Sequence, residues 1–436
     1  MIESFKIKNF KSFRDETEIS FLASKKEGSR SNPMAPLWYK EVDGKRILRL
    51  VLLYGLNGSG KSNVLDALEC LSLITTNKAD GKMALIDYSP FWYDEEARNQ
   101  PVEFWLKYYI GERCYSYHVK YDLDFILEEE LRSLSGRTAL VYNRSYDIEN
   151  DKICIVFGRN CGLGVKHKDA LVMNSSPCST TLAVAGSLNT GNKTLNDNFT
   201  FFTKLTDASP QRFSNTFNLF ATGNAFRDDL KKRFILGLMD RMGFDIVDYH
   251  VSEINLESLP FGQEDNTDLK KRLDALRPYH GSNRLRQLLL KHLAGGKEHS
   301  TQYFEESNGT LAILQHLAFL YDIVKDGKVA YSDDLGREIH PKLLVFLLKL
   351  YIRLADDCQF VAITNDTSLM GVDFFRRDAV RLVEKGEDGA STVRRRDYLH
   401  NTANFMRIYN EEVAPRIDEL VKDEDVFDEA KVLLMK

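Results

Sequence analysis

Gly55, Gly60, Lys61 and Ser62 stand at the spacing Gly–x4–Gly–Lys–Ser within the stretch YGLNGSGKSNVL. These residue types at these intervals make a loop that holds phosphate, with backbone N–H groups and a lysine cradling the anion. Asn57, Gly58, Ser59, Gly60 and Asn63 belong to the same cradle. Lys61 is expected to reach the β- and γ-phosphates of ATP, and the Ser62 hydroxyl to ligate Mg²⁺. Such a loop needs a further Mg²⁺-binding carboxylate at the end of a neighbouring apolar strand. KVAYSDD supplies one: Val329, Ala330 and Tyr331 lead to Asp333 and Asp334. Asp333 is expected to hold Mg²⁺ through a water, and Asp334 to orient or deprotonate the attacking water.

The elements that must position these groups are readable around them. ILRLVLL before the loop has the β-rich character of a buried strand, and SNVLDALECLSLI after it has apolar residues at helical spacing. SFKIKNF alternates like a strand, and EFWLKYYIG with RCYSYHVKYDL reads as a hairpin turning near Gly111 and Glu112. PKLLVFLLKLYIRLA is expected as a helix between the strands KVAYSDD and CQFVAITND. The middle of the chain is mixed: polar Asn/Ser/Thr-rich text, then DDLKKRFILGLMDRMG and NRLRQLLLKHLAGG, both read as helical. The fold expected is α/β, a P-loop ATPase head of ABC type split by a mixed, largely helical insertion. Its bounds are 1–125 for the N-terminal half, 126–295 for the insertion and 296–436 for the C-terminal half.

Composition sets the outer limits. The chain has 436 residues, 43% hydrophobic and 28% charged, which reads as soluble and globular rather than disordered. No apolar run reaches membrane-spanning length, and MIESFKIKNF lacks the layout of a signal peptide. Six scattered cysteines without a CxxC pair point to neither a zinc site nor a disulfide framework, so a reducing cytoplasm is expected. A net charge of −5 argues against a general coat for DNA. Local basic clusters are candidates for nucleic-acid phosphates: Lys270-Lys271-Arg272, Arg284/Arg286/Lys291 and Arg394-Arg395-Arg396. Charge runs more often form a solvated face. There is no sustained heptad pattern, which excludes the long coiled-coil arms of chromosome-maintenance ATPases.

Upstream of KVAYSDD lies EESNGTLAILQHLAFL, a Ser–x–Gly followed by an apolar helix. Alone it reads as an ordinary helix cap. One helix ahead of the acidic strand, it has the place of the ABC signature, whose serine and glycine contact a γ-phosphate held by the opposite subunit. Ser307 and Gly309 fit that task. With MIESFKIKNFKSF, the P-loop, SPFWYDEEARNQPVEFWLKYYIGERCYSYHVKYD and ITNDTSLM…FFRRDAVRLVEKGEDGAS, the chain resembles the RloA-type ABC ATPases. These are AAA-class, SMC- and RecF-like proteins of bacterial anti-phage and restriction-linked loci. The resemblance covers roughly residues 1–125 and 296–400. It implies a dimer or larger assembly with ATP sandwiched between subunits, and places Lys11, Ser12 and Phe13 near the base and ribose.

The chain also departs from that pattern. Members usually end the acidic strand in Asp-Glu, whereas this chain has Asp333-Asp334, which retracts the carboxylate by a methylene, on the order of 1 Å. Where members carry a γ-phosphate-contacting His, this chain has Asn365, which can donate an N–H but cannot take a proton. Gly336 replaces an acidic residue expected after the catalytic carboxylate. His340 before Pro341 reads as structural. Binding residues are intact and hydrolysis residues degraded, so ATP is expected to clamp more than to fuel. The stretch after Asn365 is too short for a Toprim nuclease domain, so a separately encoded effector is expected to supply any nuclease. A RecF-like DNA-repair ATPase is the alternative.

Overall fold

The computed structural model describes residues 1–24, 32–77, 88–159, 161–188, 191–207, 228–255 and 284–395. The chain divides into two compact units. The first comprises the described residues up to Asp207, with Gly327–Ser332 and those from Ile352 onward, and the second the described residues between them.

The first unit is built on two sheets. β5 (Leu50–Tyr54), β15 (Val329–Ser332) and β16 (Gln359–Ile363) are buried at every residue. Strands apolar on both faces belong in the middle of a parallel sheet. They occupy the centre of a six-stranded sheet ordered β11-β15-β16-β5-β17-β18, where β11 is Leu205–Asp207, β17 Val380–Lys385 and β18 Ser391–Arg395. All neighbours are parallel except the β17–β18 hairpin. Strands from both ends of the sequence therefore interleave in one largely parallel α/β sheet, the fold class expected from the sequence.

The other sheet is antiparallel, ordered β10-β9-β8-β7-β6-β1-β2. Its strands are β1 (Ile2–Lys8), β2 (Thr17–Ser20), β6 (Val102–Ile110), β7 (Arg113–Tyr121), β8 (Ile126–Ser133), β9 (Ala139–Asp147) and β10 (Lys152–Phe157). β6 and β7 alternate buried and half-buried residues along most of their length, the mark of a sheet with one covered face, and they turn at Gly111 and Glu112 as the sequence suggests. The cover is helical. α1 (Lys61–Thr76), α3 (Thr181–Leu188) and α4 (Lys193–Thr203) carry buried apolar residues, while α2 (Val165–Met173) is largely exposed. Tyr108 of β6 stacks on Phe201 of α4 with ring centroids 4.2 Å apart. A buried carboxylate fixes the start of α3: Glu129 accepts from the Tyr117 and Tyr142 hydroxyls at 2.9 and 2.7 Å and from the Thr181 N–H at 2.6 Å. The small pair β3 (Tyr39–Val42) and β4 (Lys45–Leu48) leads into β5.

The second unit holds β12 (Ile246–Asn255), β13 (Arg284–Ala294) and β14 (Lys297–Gln302) with helices Asp229–Arg241, Asn308–Asp326 and most of Pro341–Leu354. NRLRQLLLKHLAGG, read from sequence as helical, is the central strand β13, paired antiparallel on both sides. Its apolar residues satisfy both periods, and pairing decides: Leu288 and Leu290 are buried while Leu289 between them is half-buried. The helix Asp229–Arg241 is joined to Asn308–Asp326 by Lys231–Asp322 at 2.7 Å, Lys325–Asp228 at 2.9 Å and the Phe234–Tyr321 ring contact.

Among the described residues no helix is long and apolar enough to cross a membrane. The cysteines, all among the described residues, form no disulfide.

Candidate nucleotide-binding site

β5 ends at Tyr54 and α1 starts at Lys61, so Gly55–Gly60 form the strand-to-helix turn at the carboxyl edge of the parallel sheet. That edge is where ligands bind in such sheets, and the start of α1 points backbone N–H groups at them. Gly60 caps α1 in the left-handed region, with φ 101°. It is also a point of closest approach: a Cβ there would stand 2.4 Å from the Ser12 Oγ and 2.5 Å from the Ser391 Oγ. Gly55 has φ 155°, and its Cβ would stand 2.2 Å from the Val383 carbonyl oxygen.

The loop is thus closed by two distant segments. Ser391 donates its hydroxyl to the Ser59 carbonyl at 2.7 Å, and its N–H to the Ser12 carbonyl at 2.7 Å. Asn63 donates from Nδ2 to the Ser12 Oγ at 2.7 Å. Lys11 donates its N–H to Ser89 and pairs with Asp66 of α1 at 2.9 Å, while its φ of 50° lies in the left-handed region that non-glycine residues rarely adopt. Lys11 and Ser12 therefore sit against the P-loop. Phe13 is fully buried and bridges to Phe10, so its ring belongs to the core and presents no face to a base.

Within the loop, Asn57, Gly58 and Ser62 are exposed and Lys61 is 7% exposed. The Lys61 ammonium donates to the carbonyls of Gly55 and Leu56 at 2.8 and 2.9 Å, which holds it across the mouth of the turn. The buried Ser59 hydroxyl has no hydrogen-bond partner. An orphaned buried polar atom inside a glycine-lined turn fits an anion cradle.

Asn365 belongs to the same unit. Ile363 pairs with Leu53 at the end of β16, and the Tyr54 hydroxyl donates to the Asp366 carbonyl at 2.9 Å. The Asn365 side chain is exposed at the sheet edge from which the P-loop springs. β15 ends at Ser332, in register with Ala362 of β16, so the chain leaves the sheet at that edge immediately before Asp333.

In the second unit, Asp333 accepts the Asp334 N–H at 2.9 Å through Oδ1. Asp334 has φ 53°, and its carboxylate lies 3.8 Å from Arg337. Aspartate tolerates this conformation better than longer residues, a local reason for Asp rather than Glu here. Gly336 has φ 91°, and a Cβ would stand 2.5 Å from the buried Leu344 side chain, so an acid at this position would strain the backbone and displace the core.

Ser307 caps the helix Asn308–Asp326, its Oγ accepting the Thr310 N–H at 3.1 Å, and it stays exposed. Gly309 follows, where a Cβ would stand 3.2 Å from the Glu338 carbonyl oxygen. Glu306, just before the cap, is fixed by His292: Nε2 lies 2.6 Å from Glu306 and Nδ1 3.0 Å from Asp245. Burial alone would lower the His292 pKa, but the two carboxylates outweigh it and raise it.

Ser62 and Asp333 are oxygen donors, the kind Mg²⁺ takes, and this ion is typically held by one or two protein groups plus substrate phosphates. No cluster of three or more His, Cys, Asp or Glu suited to a metal occurs among the described residues. The basic candidates fare differently. Lys291 pairs with Glu298 at 3.3 Å and Arg394 with Glu384 at 3.2 Å. Lys270-Lys271-Arg272, Arg396 and the side chains of Arg284 and Arg286 lie outside the described residues.

Sequence reasoning missed Ser391 and Asn9. Asn9 donates to the carbonyls of Ala97 and Gln100 at 2.8 and 2.7 Å and accepts the Phe91 N–H at 3.1 Å, pinning the loop from Tyr88 to Asn99 beside the turn that carries Lys11 and Ser12. No local pattern announces either residue.

The Gly55 geometry gives a direct expectation. Gly55→Ala should push β17 off the loop, destabilise the fold by about 1–3 kcal/mol as overpacking does, and abolish nucleotide binding. Thermal melting and titration with ATP check this; a variant that melts and binds as the wild type does would show that the turn is not closed by Val383.

No family model matches the chain, and no curated protein matches it. Among solved structures it is similar to the SMC head bound to the C-winged helix domain of ScpA, at 14% identity over 90% of this chain and 97% of that one, TM-score 0.39. It is similar also to the SMC head domain from Thermotoga maritima, at 13% identity over 91% and 99%, TM-score 0.39. A third is the Smc head domain with an extended coiled coil bound to the C-terminal domain of ScpA derived from Pyrococcus furiosus, at 13% identity over 97% and 99%, TM-score 0.38.

Proposed function

We propose that the protein is an ABC-type ATPase that binds ATP with Mg²⁺, hydrolyses it slowly and assembles as at least a dimer around it. In that assembly it serves as a sensor and scaffold of anti-phage defence, controlling a separately encoded toxin or nuclease. The observation that supports this most is a contrast of residue types. The phosphate loop is closed by Ser12 and Ser391 and retains Lys61 and Ser62, while the sequence carries Asp334 and Asn365 where the resembled family carries Glu and His. The defence role follows from the RloA-type resemblance.

The chemistry is then one of holding. Backbone N–H groups of Asn57–Ser62 and the Lys61 ammonium bind the β- and γ-phosphates. Ser62 and Asp333 are the oxygen donors that would hold Mg²⁺, and the ion would neutralise phosphate charge. Asn365 donates an amide N–H toward the γ-phosphate without exchanging a proton. Asp334 orients water weakly because its carboxylate is one methylene short. Ser307 and Gly309 of a second copy cap the γ-phosphate, so the assembled state lasts as long as the triphosphate does.

Light scattering tests the assembly. A non-hydrolysable ATP analogue should double the mass of the wild type. Ser307→Asp keeps the helix cap, since aspartate caps as well as serine, but sets a negative charge against the γ-phosphate. It should remain monomeric with the analogue. A wild-type mass indifferent to nucleotide would contradict the proposal and leave Ser307 a helix cap alone.

A further inference from the structure

The loop from Tyr88 to Asn99 carries two large aromatic rings on the surface, Trp92 at 68% and Tyr93 at 65% exposure. Surface rings of this size are not needed by the core, and their loop is fixed rather than hanging free. Phe91 is buried and tied to Asn9, and Ser89 accepts the Lys11 N–H at 2.6 Å. Tyr93 meets Phe91 edge-on, with centroids 5.8 Å apart.

Its other support is the β17–β18 hairpin. Gly389, at φ 80°, passes so near that a Cβ would stand 2.8 Å from the Tyr93 ring, and the Lys385 ammonium lies 5.0 Å from the ring centroid. The turn is held by Asp388, which accepts the Ala390 N–H at 3.1 Å and pairs with Arg14 at 2.9 Å. Two residues beyond Gly389, Ser391 binds the P-loop at Ser59. Tyr93 therefore lies against the hairpin, on a loop whose Ser89 and Phe91 are tied to the Asn9–Phe13 turn, and both the hairpin and that turn close on the phosphate loop. Trp92, by contrast, has the Arg98 guanidinium over its ring at 4.4 Å and no contact of this kind with the hairpin among those described.

We propose that Tyr93 is the platform on which the base of the loop-bound nucleotide stacks, with Gly389 and Lys385 backing the ring. This rests on the ATP-site reading above and adds to it the group that recognises the nucleoside half. Phosphates are gripped by the loop whatever is attached to them. A flat π surface at the flank of that loop distinguishes a nucleoside triphosphate from inorganic polyphosphate, and larger purine rings gain more from it than pyrimidines. Glycine at 389 is required because any side chain there would occupy the place of the ring.

The test separates base from phosphate. Calorimetric titrations use Mg-ATP and inorganic tripolyphosphate with the wild type, Tyr93→Ala, Tyr93→Phe and Lys61→Ala, with thermal melting of each as the folding control. Tyr93→Ala should bind ATP roughly tenfold or more weakly, the worth of one base–aromatic stack, with tripolyphosphate affinity unchanged. Tyr93→Phe should retain wild-type affinity for both, and Lys61→Ala should lose both. Undiminished ATP binding by Tyr93→Ala would overturn the proposal. So would equal losses of ATP and tripolyphosphate, which would make Tyr93 a support of the loop. Failure of the wild type to bind either ligand would instead overturn the ATP-site reading itself.

Discussion

Lys61→Ala is expected to remove most of the affinity for ATP. The Lys61 ammonium is nearly buried and is held by two carbonyls of its own loop, so it is placed before any ligand arrives and loses little side-chain freedom on binding. Its hydrogen bonds to phosphate are charge-assisted and made in a partly desolvated turn, each worth about 1.5–3 kcal/mol. Losing two of them corresponds to a drop in affinity of roughly a hundredfold or more. The substitution also leaves the Gly55 and Leu56 carbonyls without that donor, so thermal melting must accompany the titration. Equal ATP binding by wild type and a well-folded variant would remove the P-loop assignment.

The second large effect is expected in turnover. Asp334→Glu with Asn365→His should raise the rate of hydrolysis without tightening ATP binding, because both groups act on the attacking water and the developing charge rather than on the ground state. A positioned base commonly contributes about 10²–10⁴-fold, which bounds the gain. The two positions are not equal. Asn365 is exposed beyond the end of β16, and histidine meets no backbone constraint there. Asp334 has φ 53°, so the longer glutamate brings conformational strain of about 1 kcal/mol or more. Asn365→His alone should therefore leave stability unchanged, while Asp334→Glu should lower the melting temperature even as it restores reach. Steady-state rates of the four combinations form a double-mutant cycle, and the coupling between the two positions is the quantity of interest. A wild type that hydrolyses briskly and loses nothing on Asp334→Asn would place the catalytic base elsewhere.

Much of the first unit is legible in the sequence because its signals are local. The apolar run of β5, the glycine spacing and the periodicity of α1 lie within one short stretch, and the β6–β7 hairpin alternates cleanly around its turn. The need for a carboxylate at the end of a neighbouring strand points to β15, which lies in the same sheet but with β16 between it and β5. β13 departs from its helical reading because LRQLLLKHL satisfies helical and strand periods together, and β12 and β14 on either side make the choice. Phe13 sits in a motif whose resemblance places it near base and ribose, yet its ring is wholly buried. Ser391 and Tyr93 lie in stretches that carry the resemblance, but nothing local singles either of them out. Their significance comes from contacts with Ser59, Ser12 and Gly389, residues remote in the chain or unremarkable in type. Gly336 gains a reason beyond the loss of an acid, since Leu344 fills the space a side chain would need.

A chain that holds ATP rather than consuming it should reveal this in the nucleotide it retains. The direct measurement is the identity of the nucleotide bound to the wild-type protein after incubation with Mg-ATP, removal of free nucleotide, and quenching at successive times. The bound fraction should stay mainly ATP long after the complex has formed, and the dimeric mass should persist for the same period. Bound nucleotide that is already ADP at the first time point, with the dimer intact, would contradict the ATP-holding role.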